Sequence, residues 1–160
     1  MGVCLTLALI LSYVESLIPF NFGIPGVKLG LANLCVVVLL YLCGWREALT
    51  IDLLRVILAG FIFGNLSMII YSLAGAVLSF VCMTLVHKTG RFGPMGVSLT
   101  GGVTHNIGQL MVAVLVLGTT RIVYYVPVLI ISGALTGALL GIIASLVLPV
   151  LKKINLSKQI

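Results

Sequence analysis

The side chains able to do chemistry in this chain are few. Three carboxyl groups (Glu15, Glu47 and Asp52) and two imidazoles (His87 and His105) are spread over 160 residues. Magnesium-assisted chemistry on a diphosphate needs clustered carboxylates, because Mg²⁺ binds hard oxygens and bridges them to phosphate. These three acids are far apart in the sequence, so no metal site and no cofactor are expected. No G-x-x-x-x-G-K-[ST] loop exists, which excludes ATP hydrolysis through a P-loop, and H-E-x-x-H and Ser-His-Asp patterns are lacking. A proton relay through His105 is the one catalytic role the inventory leaves.

Binding is the chemistry that remains. The densest polar group is residues 104–109 (THNIGQ), where His105 and Gln109 are four apart and Asn106 and Gln109 three apart, on two adjacent faces of one helix. Hydrogen bonding between helices explains such a group as well as substrate binding does. Glu15 precedes Lys28 by 13 residues, so the two can pair or face a common outward cavity. Asn33 and Asn65 lie at comparable depths on other spans. Asp52 and Arg55, three apart on one helix, are read as a structural ion pair, through mutual neutralisation or as a socket for a partner.

These groups must be positioned by apolar elements. Hydrophobic residues make up 61% of the chain and charged ones only 8%, against roughly a quarter charged in a soluble domain. With a mean hydropathy of +1.33, the natural solvent is a lipid bilayer. Its +6 net charge reads as topology signals at the ends of apolar runs, and no nucleic-acid partner is expected. Cys4, Cys35, Cys43 and Cys82 lie in apolar stretches without metal spacing and read as packing residues. The first run has no basic n-region or cleavage site and is expected to be a retained span.

At about 20 residues per span, one all-α transmembrane domain over residues 1–160 with six spans fits: about 3–18, 29–43, 47–64, 65–86, 96–118 and 124–151. The runs lack the alternation of a β-barrel. With the N-terminus inside, Arg46, Lys88, Arg91, Lys152, Lys153 and Lys158 lie on the inner side, and Lys28 and Arg121 on the outer. Six against two places both termini in the cytoplasm of a multi-pass protein of the bacterial plasma membrane. Two small-residue stripes at four-residue spacing, Cys4-Ala8-Ser12-Ser16 and Gly133-Gly137-Gly141-Ser145, allow close helix approach or a partner membrane protein.

Residues 11–19 (LSYVESLIP) and 23–33 (GIPGVKLGLAN) carry a family signature, joined by Leu54-Arg55, Phe63-Gly64-Asn65, residues 71–75 (YSLAG), 96–99 (GVSL) and 104–109. In these strings the chain resembles the Gx transporter family, also known as heptaprenyl diphosphate synthase component I, over nearly its whole length. The resemblance implies a six-helix protein similar to the substrate-binding S components of energy-coupling factor transporters. Such components dock on a shared transmembrane coupling subunit and a pair of ATPases, often through small residues of the first helix, where Ala8 and Ser12 stand here. The expected substrate site comprises Glu15, Lys28 and Asn33 at the outer entrance, with Asn65, His105, Asn106 and Gln109 deeper. An apolar cavity between helices suits a vitamin-like, quinone-precursor or isoprenoid compound. A different reading makes the chain a non-catalytic membrane component that assists a soluble prenyl synthase or an electron-transfer assembly.

Overall fold

A computed structural model describes residues 2–17, 30–118 and 120–157. Within them the chain is all-helical: α1 (Gly2–Leu17), α2 (Asn33–Leu42), α3 (Trp45–Phe63), α4 (Leu66–Lys88), α5 (Pro94–Leu117) and α6 (Val126–Ser157), with a 3₁₀ segment, Thr120–Tyr125, ahead of α6.

Local sequence explains most boundaries. Gly44 holds a φ of 110° between α2 and α3, a left-handed backbone that lets one residue reverse the chain. The side-chain oxygen of Asn65 caps α4 by accepting the N–H of Met68 at 2.9 Å. Pro94 opens α5, where its missing N–H costs nothing, and Gly118 (φ 61°) closes it.

Three stretches, Leu66–Lys88, Pro94–Leu117 and Ile122–Lys153, are long and apolar enough to cross a membrane. Of the other three helices, α1 and α3 are close to the lengths expected for them and α2 is much shorter. α3 has 19 residues but carries Arg46, Glu47, Asp52 and Arg55. α1 has 16 residues. α2 has only 10, about 15 Å at the helical rise, half of a hydrocarbon core of about 30 Å. The expected second span, residues 29–43, is thus a half-length helix. The apolar run predicts a helix from residue 29, whereas α2 starts at Asn33. At the other end of the chain, α6 runs past the expected stop at 151 and through Pro149.

The helices alternate in direction. α5 and α6 touch backbone to backbone along their length: a Cβ on Gly102 would fall 2.3 Å from the carbonyl oxygen of Gly133, one on Gly137 2.7 Å from that of Ser98, and one on Gly141 2.5 Å from Cα of Met95. Rising numbers on one helix against falling numbers on the other mean antiparallel packing. α4 meets α5 in the same sense, with Gly75 against His105 and Gln109, and Ser79 Oγ donating to the carbonyl of Gly101 at 3.0 Å. A core of Ala8, Val36, Val37, Ile51, Phe80, Met83 and Val97 joins α1, α2 and α3 to this slab. Tyr41 fixes the far end of α2 through its ring on His87 and its hydroxyl to the carbonyl of Phe92.

Candidate functional site

One cavity is lined from all six helices, and three of the buried polar side chains, Ser12, Glu15 and Asn106, stand on its wall. Ser12 and Glu15 come from α1, Asn33 from the start of α2, Arg55, Val56 and Ala59 from α3, Met68 and Ser72 from α4, His105 and Asn106 from α5, and Thr136 and Leu140 from α6. The non-atom space, counted through its open mouth, is about 750 Å³, whereas the room for the centre of a water molecule is about 40 Å³. That leaves room for a few waters.

α2 begins at Asn33, beside Met83 in the last third of α4 and Gly101 in the first third of α5, and Gly30 and Asn33 line one side of the cavity. Glu15, one turn beyond Ser12 on the same face of α1, also lines it, and its carboxylate accepts the backbone N–H of Gly30. It is 6% exposed. Opposite, Arg55 Nη2 donates to Asp52 Oδ1 at 2.6 Å, with the two side chains 12% and 2% exposed. Arg55 both closes that ion pair and forms part of the cavity wall.

Two polar atoms on this wall have no hydrogen-bond partner among the described residues: the buried Ser12 Oγ and Arg55 Nε. Such atoms lose hydration without recovering it within the protein, a cost of about 1–3 kcal/mol each. Orphaned polar atoms are not confined to this wall: Thr84 Oγ1, Ser98 Oγ and both amide atoms of Gln109 are also buried without a partner among the described residues.

The expected binding residues divide on inspection. Glu15, Asn33, His105 and Asn106 converge on the cavity. Asn106 also carries the interhelical role, because its Nδ2 donates to the carbonyl of Leu129 at 2.9 Å and lies 3.4 Å from Ser132 Oγ. Asn65 does not join the wall: it is exposed and spends its oxygen on the α4 cap. Gln109 is off the wall as well, because the turn that brings His105 to the cavity rotates Gln109 toward α4, where its stem packs on Gly75. Neither its Oε1 nor its Nε2 has a partner among the described residues. Lys28 lies outside the described residues.

Ala8 and Ser12, expected at a partner contact, are both buried within their own bundle, at 0% and 5% exposure, whereas Ser16 of the same stripe is exposed. The face left outward consists of Val3, Leu7, Ile10, Val14 and Leu17. Glycines 133, 137 and 141 on α6 are likewise consumed by α5. Ser12, expected at a partner contact, and Arg55, expected in an ion pair that neutralises itself or forms a partner socket, both line the cavity, a place that sequence reasoning gave to neither. A signal existed for Ser12, which shares its helix face with Glu15 at a spacing of three.

Against sequence models of known families, residues 4–147 match heptaprenyl diphosphate synthase component I. The chain belongs to the heptaprenyl diphosphate synthase component I family. Comparison with curated proteins and with solved structures found no match. The family description names a diphosphate-forming synthase, so the donor set is the relevant test. Among the described residues no three His, Cys, Asp or Glu side chains gather where a metal ion could be held. The cavity residues of this synthase component I family member therefore do not suit a magnesium-bridged diphosphate.

Proposed function

We propose that this chain is a substrate-binding membrane subunit of an energy-coupling factor type importer, taking up a small vitamin-like, quinone-precursor or isoprenoid compound. The observation that carries the reading is the single cavity lined from all six helices. A pocket at the junction of several helices, apolar with a few convergent polar groups, is the common form of a small-molecule site. In this reading the six helices form one bundle in the plasma membrane, with both termini cytoplasmic and the Glu15 end of the cavity facing outward. The chain binds without catalysing, and the energy comes from an ATPase pair through a transmembrane coupling subunit. In this reading that subunit docks on surface other than Ala8, Ser12 and the three α6 glycines, which the bundle itself buries.

The test is purification from native membranes, with mass spectrometry for a co-purifying small molecule and for protein partners. A ligand together with a coupling subunit and ATPases supports the importer. Absence of any ligand, with wild-type retention of an added candidate in Asn33→Ala and Asn106→Ala variants, removes it. The family description favours a second reading, a non-catalytic component associated with prenyl diphosphate or quinone synthesis or with an electron-transfer assembly. Recovery of a prenyl synthase or a redox subunit in the same experiment would select it.

A further inference from the structure

A second space adjoins the cavity. It is a groove lined by Leu31, just ahead of α2, and by Leu135, Thr136, Leu139 and Leu140 of α6. Its room for the centre of a water molecule is about 160 Å³, against about 40 Å³ in the cavity. Leu135 and Leu139 are 67% and 56% exposed, so the groove opens on the outer surface of the bundle. Both stand near the middle of the apolar stretch Ile122–Lys153. In a membrane that depth belongs to the acyl chains, and the groove faces lipid rather than water.

The side chains of the groove have nothing polar to offer a ligand. Four of the five are leucines, and the hydroxyl of Thr136 donates within its own helix to the carbonyl of Ser132 at 3.0 Å. A space with such a wall suits hydrocarbon and not water, which needs several polar partners. The boundary between groove and cavity is one residue thick. Thr136 and Leu140 line both spaces, and their neighbours divide: Gly30 and Gly137 face the cavity, whereas Leu31, Leu135 and Leu139 face the groove.

Resting on the reading of the cavity as a substrate site, we propose that cavity and groove are two parts of one site, which takes an amphiphile with a small polar end in the cavity and an apolar chain along the groove. Size and chemistry assign the parts. Room for a few waters suits a polar end of hydroxyl or carbonyl size beside Asn33 and Asn106, and the larger leucine-lined space suits the chain. The chain gains little by leaving lipid for leucine, because the two media are equally apolar. The polar end gains more, because hydrogen-bonding partners are scarce in hydrocarbon. Affinity therefore comes from the polar end, and the groove keeps the chain in an apolar medium while that end is held. Since the groove opens at the depth of the acyl chains, the ligand arrives from the bilayer.

The experiment uses the full chain in phosphatidylcholine nanodiscs and hexadecan-1-ol carrying a diazirine near the middle of its chain. After irradiation the labelled residues are mapped by mass spectrometry, with unlabelled hexadecan-1-ol or hexadecane in excess as competitor. Label is expected at Leu31, Leu135 or Leu139, lowered at least about threefold by the alcohol and little by the alkane, which has no polar end. Leu139→Trp fills the groove from a lipid-exposed position and lowers the label at Leu31 and Leu135 by roughly threefold or more. Leu146→Trp makes the same change on the same helix, at a position 70% exposed and outside the groove, and leaves the label as in the parent. Asn33→Ala changes the cavity alone, yet lowers the label in the groove by roughly two- to fivefold.

Equal competition by alkane and alcohol means that bilayer lipid fills the groove, and overturns the proposal. Label that ignores both Asn33→Ala and Asn106→Ala overturns the link between groove and cavity, and so does the absence of any competable label in the groove. The substrate reading of the cavity is decided separately. A small molecule that co-purifies from native membranes, and that Leu139→Trp retains as the parent does, keeps the cavity as a substrate site without the groove. Absence of any such molecule removes both.

Discussion

The two halves of the bundle solve the burial problem differently. In the α4–α5–α6 half, glycines bring helix backbones into contact, and polar side chains such as Ser79 and Asn106 bond across helices to carbonyl oxygens. In the α1–α2–α3 half, helices are shorter or charged, an ion pair is buried, and the cavity wall carries polar atoms without partners. Membrane helices gain little from hydrophobic association, so van der Waals packing and interhelical hydrogen bonds must hold them. The first half relies on close backbone contact, although Thr84 Oγ1, Ser98 Oγ and the Gln109 amide lack partners among its described residues. The second half buries an ion pair beside the cavity.

Substitutions can break this contrast. The largest effect is expected on the site side. Asp52→Ala leaves the Arg55 guanidinium buried without its counter-ion and should cost about 3–5 kcal/mol, read by denaturant unfolding in detergent. Replacing the pair together, Asp52→Leu with Arg55→Met, should restore most of that stability, because neither charge then remains buried. If the double substitution is as damaging as the single one, the pair holds more than itself.

On the scaffold side the sensitivity is to volume. Gly102→Ala places a methyl group 2.3 Å from the Gly133 carbonyl oxygen, and backbone must move, at about 1–3 kcal/mol, measured the same way. A full-stability Gly102→Ala protein would show that the α5–α6 contact is looser than described and would erase the contrast. Asn65→Ala, which removes the α4 cap, should cost about 1 kcal/mol and leave retention of a bound ligand unchanged. The smallest change is expected from Asn106→Ala. Loss of its bond to Leu129 costs about 0.6 kcal/mol in a membrane bundle, and because Asn106 also lines the cavity, ligand retention should fall by more than stability does.

Much of the architecture was readable from residue types. Long apolar runs separated by Gly, Pro and basic residues can only be helices in a bilayer, since backbone polar groups must be satisfied within each segment. α4 and α5 follow from that reading nearly to the residue. The Asp52–Arg55 pair followed from a spacing of three on one helix. The family signature in residues 11–33 was legible as well, and the match over residues 4–147 agrees with it. What misled was continuity: residues 29–32 are part of an apolar run, yet α2 begins only at Asn33, and hydropathy cannot report where a helix starts.

The sequence by itself determined the solvent, the helical class, the family and which few polar groups the bundle must accommodate. The tertiary structure alone decided which of them share one cavity. Periodicity states which residues lie on a common face of a helix, but the rotation of that helix about its axis is set by packing against its neighbours. That rotation turned Ser12 and Arg55 onto the wall with Glu15, Asn33, His105 and Asn106. It turned Gln109 toward Gly75, and it buried Ala8 in the core.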